Sequence, residues 1–331
     1  MTVAAPPRNP PLAATGAPRR ARLALWLLLV VGAYLAIAWA VGGQDTLASA
    51  GRIGVRWIVL GAALTTLNFA LRALRWHFVL RATGAVVPPL QGSAIYLAGI
   101  GLSLTPGKLG ETVRSAFLVR HGVAVGTSLA AFVVDRISDV HAVLLIALVA
   151  TAAHAGWSDP AVARWAWLLV VVVLAPIALG VLARTGWWPR LVAPLAGRPR
   201  LQRAAQWLLR AGDDFPRLWR PAIALPSIIL SLLAYGLQAA TFAGMVAQVA
   251  PGLSPWVAAS IFASATLAGA ASFIPGGIGA MEIALVVMLS AHGVQTANAL
   301  AAALCLRAVT FWFGLLLGAG GLAVAGRARH G

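Results

Sequence analysis

Acidic residues are scarce in this chain: its 331 residues hold eight, against 25 basic residues and six histidines. Charged residues of all kinds make up 10%, where a soluble globular domain carries about a quarter. A soluble fold is therefore excluded. Lysine occurs once, at Lys108, so every other basic residue is arginine. The single cysteine, Cys305, excludes a disulfide framework. No histidine stands at ligand spacing from another or from Cys305, so no metal site and no cofactor is expected.

Apolar sequence fills the space instead. Hydrophobic residues make up 60% of the chain, and the mean hydropathy is +0.87. Several runs reach the roughly 18–20 residues that cross a bilayer as helix. The fold class is an all-α polytopic membrane protein. A formal charge of +17 invites a nucleic-acid reading, but the arginines lie between or beside the apolar runs. Cytoplasmic retention of Arg and Lys produces that layout, and no nucleic-acid partner is expected. Arg8, Arg19, Arg20 and Arg22 precede a first run at 23–41. That run is longer than a signal-peptide core and reads as a retained helix.

Apolar segments at 23–41, 55–75, 125–150, 161–183, 222–249 and 297–323 predict six spans. Two others are interrupted: 92–119 by TPGKLGE and 256–291 by IPGGIGAME. Each reads as a re-entrant or discontinuous helix pair. The arginine-rich regions are the N-terminal arm, 72–81, 184–220 and the tail, whereas 151–160 and 250–255 hold no Arg or Lys. Placing the basic regions in the cytoplasm closes the topology only if neither broken segment makes a net crossing.

The breaks share the pattern Pro-Gly-x-(Leu/Ile)-Gly, at Pro106 and Pro275, and each is soon followed by glutamate. Paired interrupted segments at corresponding places in two halves mark an inverted-repeat transporter. The expected organisation is a basic cytoplasmic arm (1–22), one transmembrane domain (23–325) and a short cytoplasmic tail (326–331). Within the domain lie a first repeat near 55–150, a basic segment at 184–220 and a second repeat near 222–323. That basic segment carries eight arginines and four tryptophans. Leu201, Ala205, Leu208 and Leu209 suggest the apolar face of an interfacial helix on anionic lipid. Recruitment of an acidic partner is the other reading.

Four of the eight acids, Glu111, Asp135, Asp139 and Glu282, fall in or beside the apolar segments of the repeat. A charge at bilayer depth costs about 2.5–3.5 kcal/mol even on the lenient insertion scale. Such residues should face a cavity or pair with the cations nearby: Arg136, Arg307, Lys108 and Arg114. Asp135 and Asp139 share a helix face, with Arg136 three residues before Asp139. The cluster either locks helices together or presents Arg136 to a phosphate, and the two roles are compatible.

At each break, the second half-helix points free N–H groups inward, a ready anion site. Gly110 in the first break, and Pro275, Gly276, Gly277 and Gly279 in the second, allow close backbone approach to a ligand. Glu111 and Glu282 either cap these half-helices or bind a headgroup and exchange protons with it. Arg72, Arg75 and Trp76 read as a headgroup contact or as a snorkelling interfacial anchor.

At RALRW (72–76), TPGKLGETVR (105–114), DRISD (135–139) and IPGGIGAME (274–282), the sequence resembles the transmembrane region of lysylphosphatidylglycerol synthases and its stand-alone flippase-like relatives. The resemblance runs from the first helix to about residue 325. It implies movement between leaflets of a lipid with a polar, often phosphate-bearing headgroup: a phospholipid, a polyprenyl-linked lipid or a hopanoid. The synthases carry a soluble aminoacyl-transferase domain that this sequence does not show, so no synthase activity is expected. Rival readings are a lipid-modifying membrane enzyme, a small-anion transporter and a structural partner in an envelope complex. A bacterial inner-membrane location with cytoplasmic termini is expected, as a homo-oligomer or beside an envelope-biosynthesis partner.

Overall fold

Helix starts are written in proline. In the computed structural model, which describes residues 17–102, 109–199 and 201–327, Pro89, Pro160, Pro221 and Pro255 each open a helix. Proline fits there because its missing N–H would have no intrahelical acceptor. Asp159 Oδ1 accepts from the Ala161 N–H at 2.7 Å, and Ser254 Oγ accepts from the Trp256 N–H at 3.3 Å. Those contacts satisfy first-turn donors. Gly122 and Gly156 follow helical segments with φ of 77° and 87°.

The described elements are all helical. They run α1 (Ala17–Ala82), α2 (Pro89–Gly101), α3 (Leu109–Leu118), α4 (Val125–Ala155), α5 (Pro160–Arg184), α6 (Trp187–Ala196) and α7 (Gln202–Leu218). Then come α8 (Pro221–Val249), α9 (Pro255–Ala271), α10 (Ala280–Ala291), α11 (Thr296–Arg307) and α12 (Phe313–Arg327), with short turns Val119–His121 and Pro275–Gly277. Residues up to Gln44 form one unit, and those from Asp45 onward form the other. The packing and the site described below belong to the second.

Among the described residues, four helical stretches are long and apolar enough to cross a membrane: Gly43–Ala82, Pro160–Val181, Pro221–Val249 and Thr296–Gly326. They contain the runs expected at 55–75, 222–249 and 297–323, and nearly all of that at 161–183. The remaining expected spans, 23–41 and 125–150, also fall in helix. Both interrupted segments are broken helices. The second breaks between α9 and α10; the first separates α2 from α3, and its residues 103–108 lie outside the described set.

The hydrophobic core has two main clusters. One gathers Phe242, Phe262, Leu285, Leu289 and Leu306 from α8 to α11. The other gathers Trp76, Leu80, Ile95, Tyr96, Leu118 and Phe215 from α1, α2, α3 and α7. Each cluster thus holds one of the broken pairs. α4 packs against α3, α5, α7, α8 and α9 and carries the charged cluster through the interior.

α2 and α12 meet backbone to backbone, as small residues allow in membrane helices. A Cβ on Gly318 would stand 2.3 Å from the Gly101 nitrogen, and one on Gly321 would stand 2.5 Å from Leu97 Cβ. Between α11 and α12, Ala308–Trp312 forms a π-helical turn.

The basic segment 184–220 departs from the expected stripe. In α7 the buried residues are Ala205, Gly212, Phe215 and Leu218, which face α4, while Leu208 lies at the surface. Asp214, which accepts from Thr127 Oγ1 at 2.6 Å, helps explain the rotation. Docking on α4 sets the buried face, where the sequence reading assumed a lipid surface.

Candidate functional site

Asp135 and Asp139 lie four residues apart on α4, so their carboxylates project from one helix face. Arg72 and Arg75, three apart on α1, meet them. Arg75 Nη1 donates to Asp139 Oδ1 at 2.5 Å, while its Nη2 donates to Asp135 Oδ1 and its Nη1 also reaches Ser231 Oγ. Arg72 Nη2 donates to Asp139 Oδ2 at 2.7 Å. Arg136 completes the cluster, 2.5 Å from Asp135 Oδ2 and 3.3 Å from Asp139 Oδ2. The Arg75 contact with Ser231 ties α8 in, and Ser231 Oγ donates to the Ser227 carbonyl of its own helix at 2.9 Å.

The network has two layers. Arg75 and Asp135 are 0% and 1% exposed, whereas the Arg136 side chain is 41% exposed. Buried ion pairs are costly to break, about 3–5 kcal/mol when one partner is lost. Arg75 therefore holds α1, α4 and α8 together, and Arg136 is held at the front by the same carboxylates. The snorkelling anchor expected at 72–76 is corrected by this burial. Trp76 and Arg75 are 0% exposed inside the bundle, because the two aspartates of α4 offer these arginines a partner that an interface would not.

Arg114, on α3 just after the first break, crosses the face of α2. Its guanidinium lies 4.5 Å from the Tyr96 ring centroid and 5.4 Å from that of Trp76, and its Nη2 donates to the Tyr96 carbonyl at 3.2 Å. Its Nη1 is 4.0 Å from Asp135 Oδ2. Gly99 makes this path possible, since a Cβ there would stand 2.0 Å from Arg114 Nε. Gly110 and Glu111 fall in the first turn of α3; nothing of the Glu111 side chain is described, and Lys108 lies outside the described residues.

The second break is tied by Glu282. Its Oε2 accepts from the Gly279 N–H at 2.9 Å, and its Oε1 accepts from Arg307 Nε at 2.9 Å. Arg307 Nη2 reaches the Gly276 carbonyl at 2.7 Å, and its guanidinium lies 4.3 Å from the Phe311 ring centroid. Capping and charge pairing, alternatives in the sequence, are thus met by one carboxylate. Gly276, Gly277 and Gly279 take φ of 66°, 62° and 85°. Phe273, at φ 55°, is the one non-glycine among the described residues with positive φ, and it is 78% exposed.

These groups surround one cavity of about 480 Å³, within the range of small-molecule sites. Four arginines stand on its wall: Arg72, Arg114, Arg136 and Arg307. Pro275, Gly276 and Gly277 line it too, and aromatic rings with Tyr235, Gln238, Thr266 and Thr310 fill the remainder. Asp135, Asp139, Glu282 and Gly279 do not line it; they stand behind it. The wall reaches the protein surface at Phe273 and Ile274, both exposed. Sequence reasoning missed Tyr96, Tyr235 and Ser231. Their only signal was a polar residue inside an apolar helix.

Two comparisons bear on this arrangement. The family described as "Lysylphosphatidylglycerol synthase TM region" matches residues 23–318. The chain is also similar to a "UPF0104 membrane protein" of Methanothermobacter thermautotrophicus (strain Delta H). The two are 25% identical over 277 residues, covering 77% of this chain and 81% of the relative.

Proposed function

This chain belongs to the lysylphosphatidylglycerol synthase transmembrane-region family of integral membrane proteins, and from that premise we propose that it is a lipid flippase or exporter. In this reading it moves a lipid with a phosphate-bearing headgroup between membrane leaflets. The observation that carries the proposal is the cavity on which four guanidiniums and the Pro275–Gly277 turn converge. Guanidinium forks match phosphate oxygens bidentately, so a headgroup fits against Arg136 and Arg114. Phe273 and Ile274, apolar and exposed where the wall meets the surface, suit acyl or prenyl chains that remain in the membrane.

Non-helical backbone at bilayer depth is tolerated only inside protein or beside a water-filled cavity. The Pro275–Gly277 turn, lining this cavity, agrees with that constraint. The reading includes two halves of opposite orientation, each contributing a broken helix pair, with both termini cytoplasmic. It assigns movement of the lipid to this domain, not its synthesis.

The test is reconstitution of the full chain in liposomes carrying a tail-labelled fluorescent phospholipid, with the outer leaflet quenched chemically. Quenching beyond the half seen in empty liposomes is expected, and it should be lost in Arg136→Gln. Conversion of the lipid to a new species, without any change of sidedness, would favour a membrane enzyme instead.

A further inference from the structure

Docked on α4, α7 turns a stripe of arginines outward. Its buried residues, Ala205, Gly212, Phe215 and Leu218, face the bundle. Arg203, Arg210 and Arg217 follow at seven-residue steps, and an α-helix drifts only about 20° per such step. The three therefore share one face, and all are exposed. The side chains of Arg210 and Arg217 are 63% and 77% exposed. Trp207 is four residues after Arg203 and three before Arg210, so it stands beside the stripe. It is exposed as well.

Contacts with the start of α4 fix where the stripe points. A Cβ on Gly126 would stand 2.6 Å from the Trp207 carbonyl oxygen, so the two helices meet there at the backbone. Asp214 Oδ2 accepts from Thr127 Oγ1 at 2.6 Å and lies 3.8 Å from Arg210 Nε, while its Oδ1 lies 3.9 Å from Arg217 Nη1. One carboxylate, held inward by Thr127, thus sits between two arginines at separations longer than a charge-assisted hydrogen bond. Asp213, which is exposed, adds one negative charge beside them. Arg190, Arg198 and Arg220 are exposed too, so the described part of 184–220 shows six exposed arginines against one exposed carboxylate.

This surface lies at the ends of membrane-crossing helices. α6 follows α5 almost directly, and α7 leads into α8 at Pro221. Bilayer headgroups stand at that level, and an indole among guanidiniums suits them, with an apolar body and a polar edge.

We propose that the α6–α7 surface docks on the headgroups of anionic lipid, through the Arg203–Arg210–Arg217 stripe and Trp207. Basic residues beside a membrane span are drawn to an anionic leaflet, and guanidinium forks match phosphate oxygens. Lipid phosphates supply the acceptors that Asp214, tied to Thr127, supplies only at a distance. The site shares no residue with the cavity, and the inference holds whether or not the chain moves lipid.

The experiment measures how fast a cysteine beside the stripe is alkylated. The full chain carrying Cys305→Ser and Gln206→Cys is placed in nanodiscs of phosphatidylcholine, or of phosphatidylcholine mixed equally with phosphatidylglycerol. Gln206 is exposed, three residues after Arg203 and four before Arg210, and Trp207 is retained. Reaction with an uncharged maleimide should be about tenfold slower in the anionic discs, the scale of one to two basic contacts with an anionic surface. The difference should largely vanish at about 1 M salt, where charges are screened within about 3 Å. Val86→Cys is the control, exposed in the connection after α1. It lies near the same end of the bundle, because Leu80 and Leu218 share a core cluster. Its rate should change by no more than about twofold, the general effect of surface potential.

Arg203→Gln, Arg210→Gln and Arg217→Gln combined should react equally in both discs. Should the triple variant lose stability, Arg203→Gln alone, remote from Asp214, should cut the difference to about threefold. Equal rates at Gln206→Cys in the two discs, or equal slowing at Val86→Cys, would overturn the proposal whatever the arginine variants do. Soluble polyglutamate added to the phosphatidylcholine discs should slow the reaction little. Slowing as large as that by phosphatidylglycerol would assign the stripe to an acidic protein and overturn the lipid assignment.

Discussion

Arg307 and Glu282 are joined at 2.9 Å, with the other oxygen of the same carboxylate held by the Gly279 N–H. Both acceptor oxygens of Glu282 are therefore occupied by donors. Glutamine has one acceptor oxygen and would turn an N–H₂ toward one of those donors. Glu282→Gln should lower stability by about 1–3 kcal/mol, the cost of one buried unsatisfied donor. Glu282→Ala, which strands Arg307, should cost about 3–5 kcal/mol. Thermal unfolding in detergent checks the order. A Gln variant of wild-type stability would show that the two contacts are not both held in the membrane.

Gly99→Ala probes the Arg114 position. The added methyl group would overlap Arg114 Nε and Cδ, atoms of a flexible chain that can swing aside. The variant should express and insert normally while losing most transport, because one of the four wall guanidiniums has moved. A variant that transports like wild type would remove Arg114 from the working site.

Gly276→Ala and Phe273→Gly should act in opposite directions on the same turn. Gly276 takes φ of 66°, and its Cβ would stand 2.3 Å from the Phe311 ring, so alanine is strained twice and should destabilise the protein strongly. Phe273 holds φ of 55° with its side chain mostly exposed. A bulky residue costs about 1–2 kcal/mol in that region, so glycine should raise stability by about 1 kcal/mol. Transport should nevertheless fall, since Phe273 stands where the wall meets the surface. Unfolding curves and the liposome assay separate the two effects.

The proposed orientation is checked by cysteine labelling in a Cys305→Ser background. A cysteine at Ala155, exposed at the end of α4, should react with an impermeant thiol reagent from outside. One at Arg198, exposed beyond α6, should react only after the cytoplasmic face is opened. Labelling of both from one side would exclude two halves of opposite orientation.

The helical class, the broken segments and the charged residues that the fold gathers at the cavity were legible in the sequence, because each is a departure from an apolar background. Asp135, Arg136 and Asp139 stand out in α4 for that reason alone. The Arg72–Asp139 and Arg75–Asp135 pairs were not legible. Sequence places those arginines in a basic stretch, where membrane topology supplies a sufficient explanation, and only the crossing of α1 and α4 brings the partners together. The buried face of α7 was misread for a related reason: a helix in isolation shows its most apolar stripe, but its docking partner chooses the stripe that is used. The polar wall residues Tyr235 and Thr310 follow no spacing rule that distinguishes them from helix-bound hydroxyls.

The π-helical turn at Ala308–Trp312 has a consequence for how this protein can change over time. Such a turn accommodates about one residue more than an α-helix does, and each residue of α-helix advances the face by about 100°. Arg307, just before the turn, points at Glu282. Gly314, Gly318 and Gly321, just after it, face Phe69, Gly101 and Leu97. Losing one residue within this turn would straighten the helix and rotate one set away from its partners. Descendants that keep both the ion pair and the glycine seam must conserve the length of this stretch, even where its letters drift.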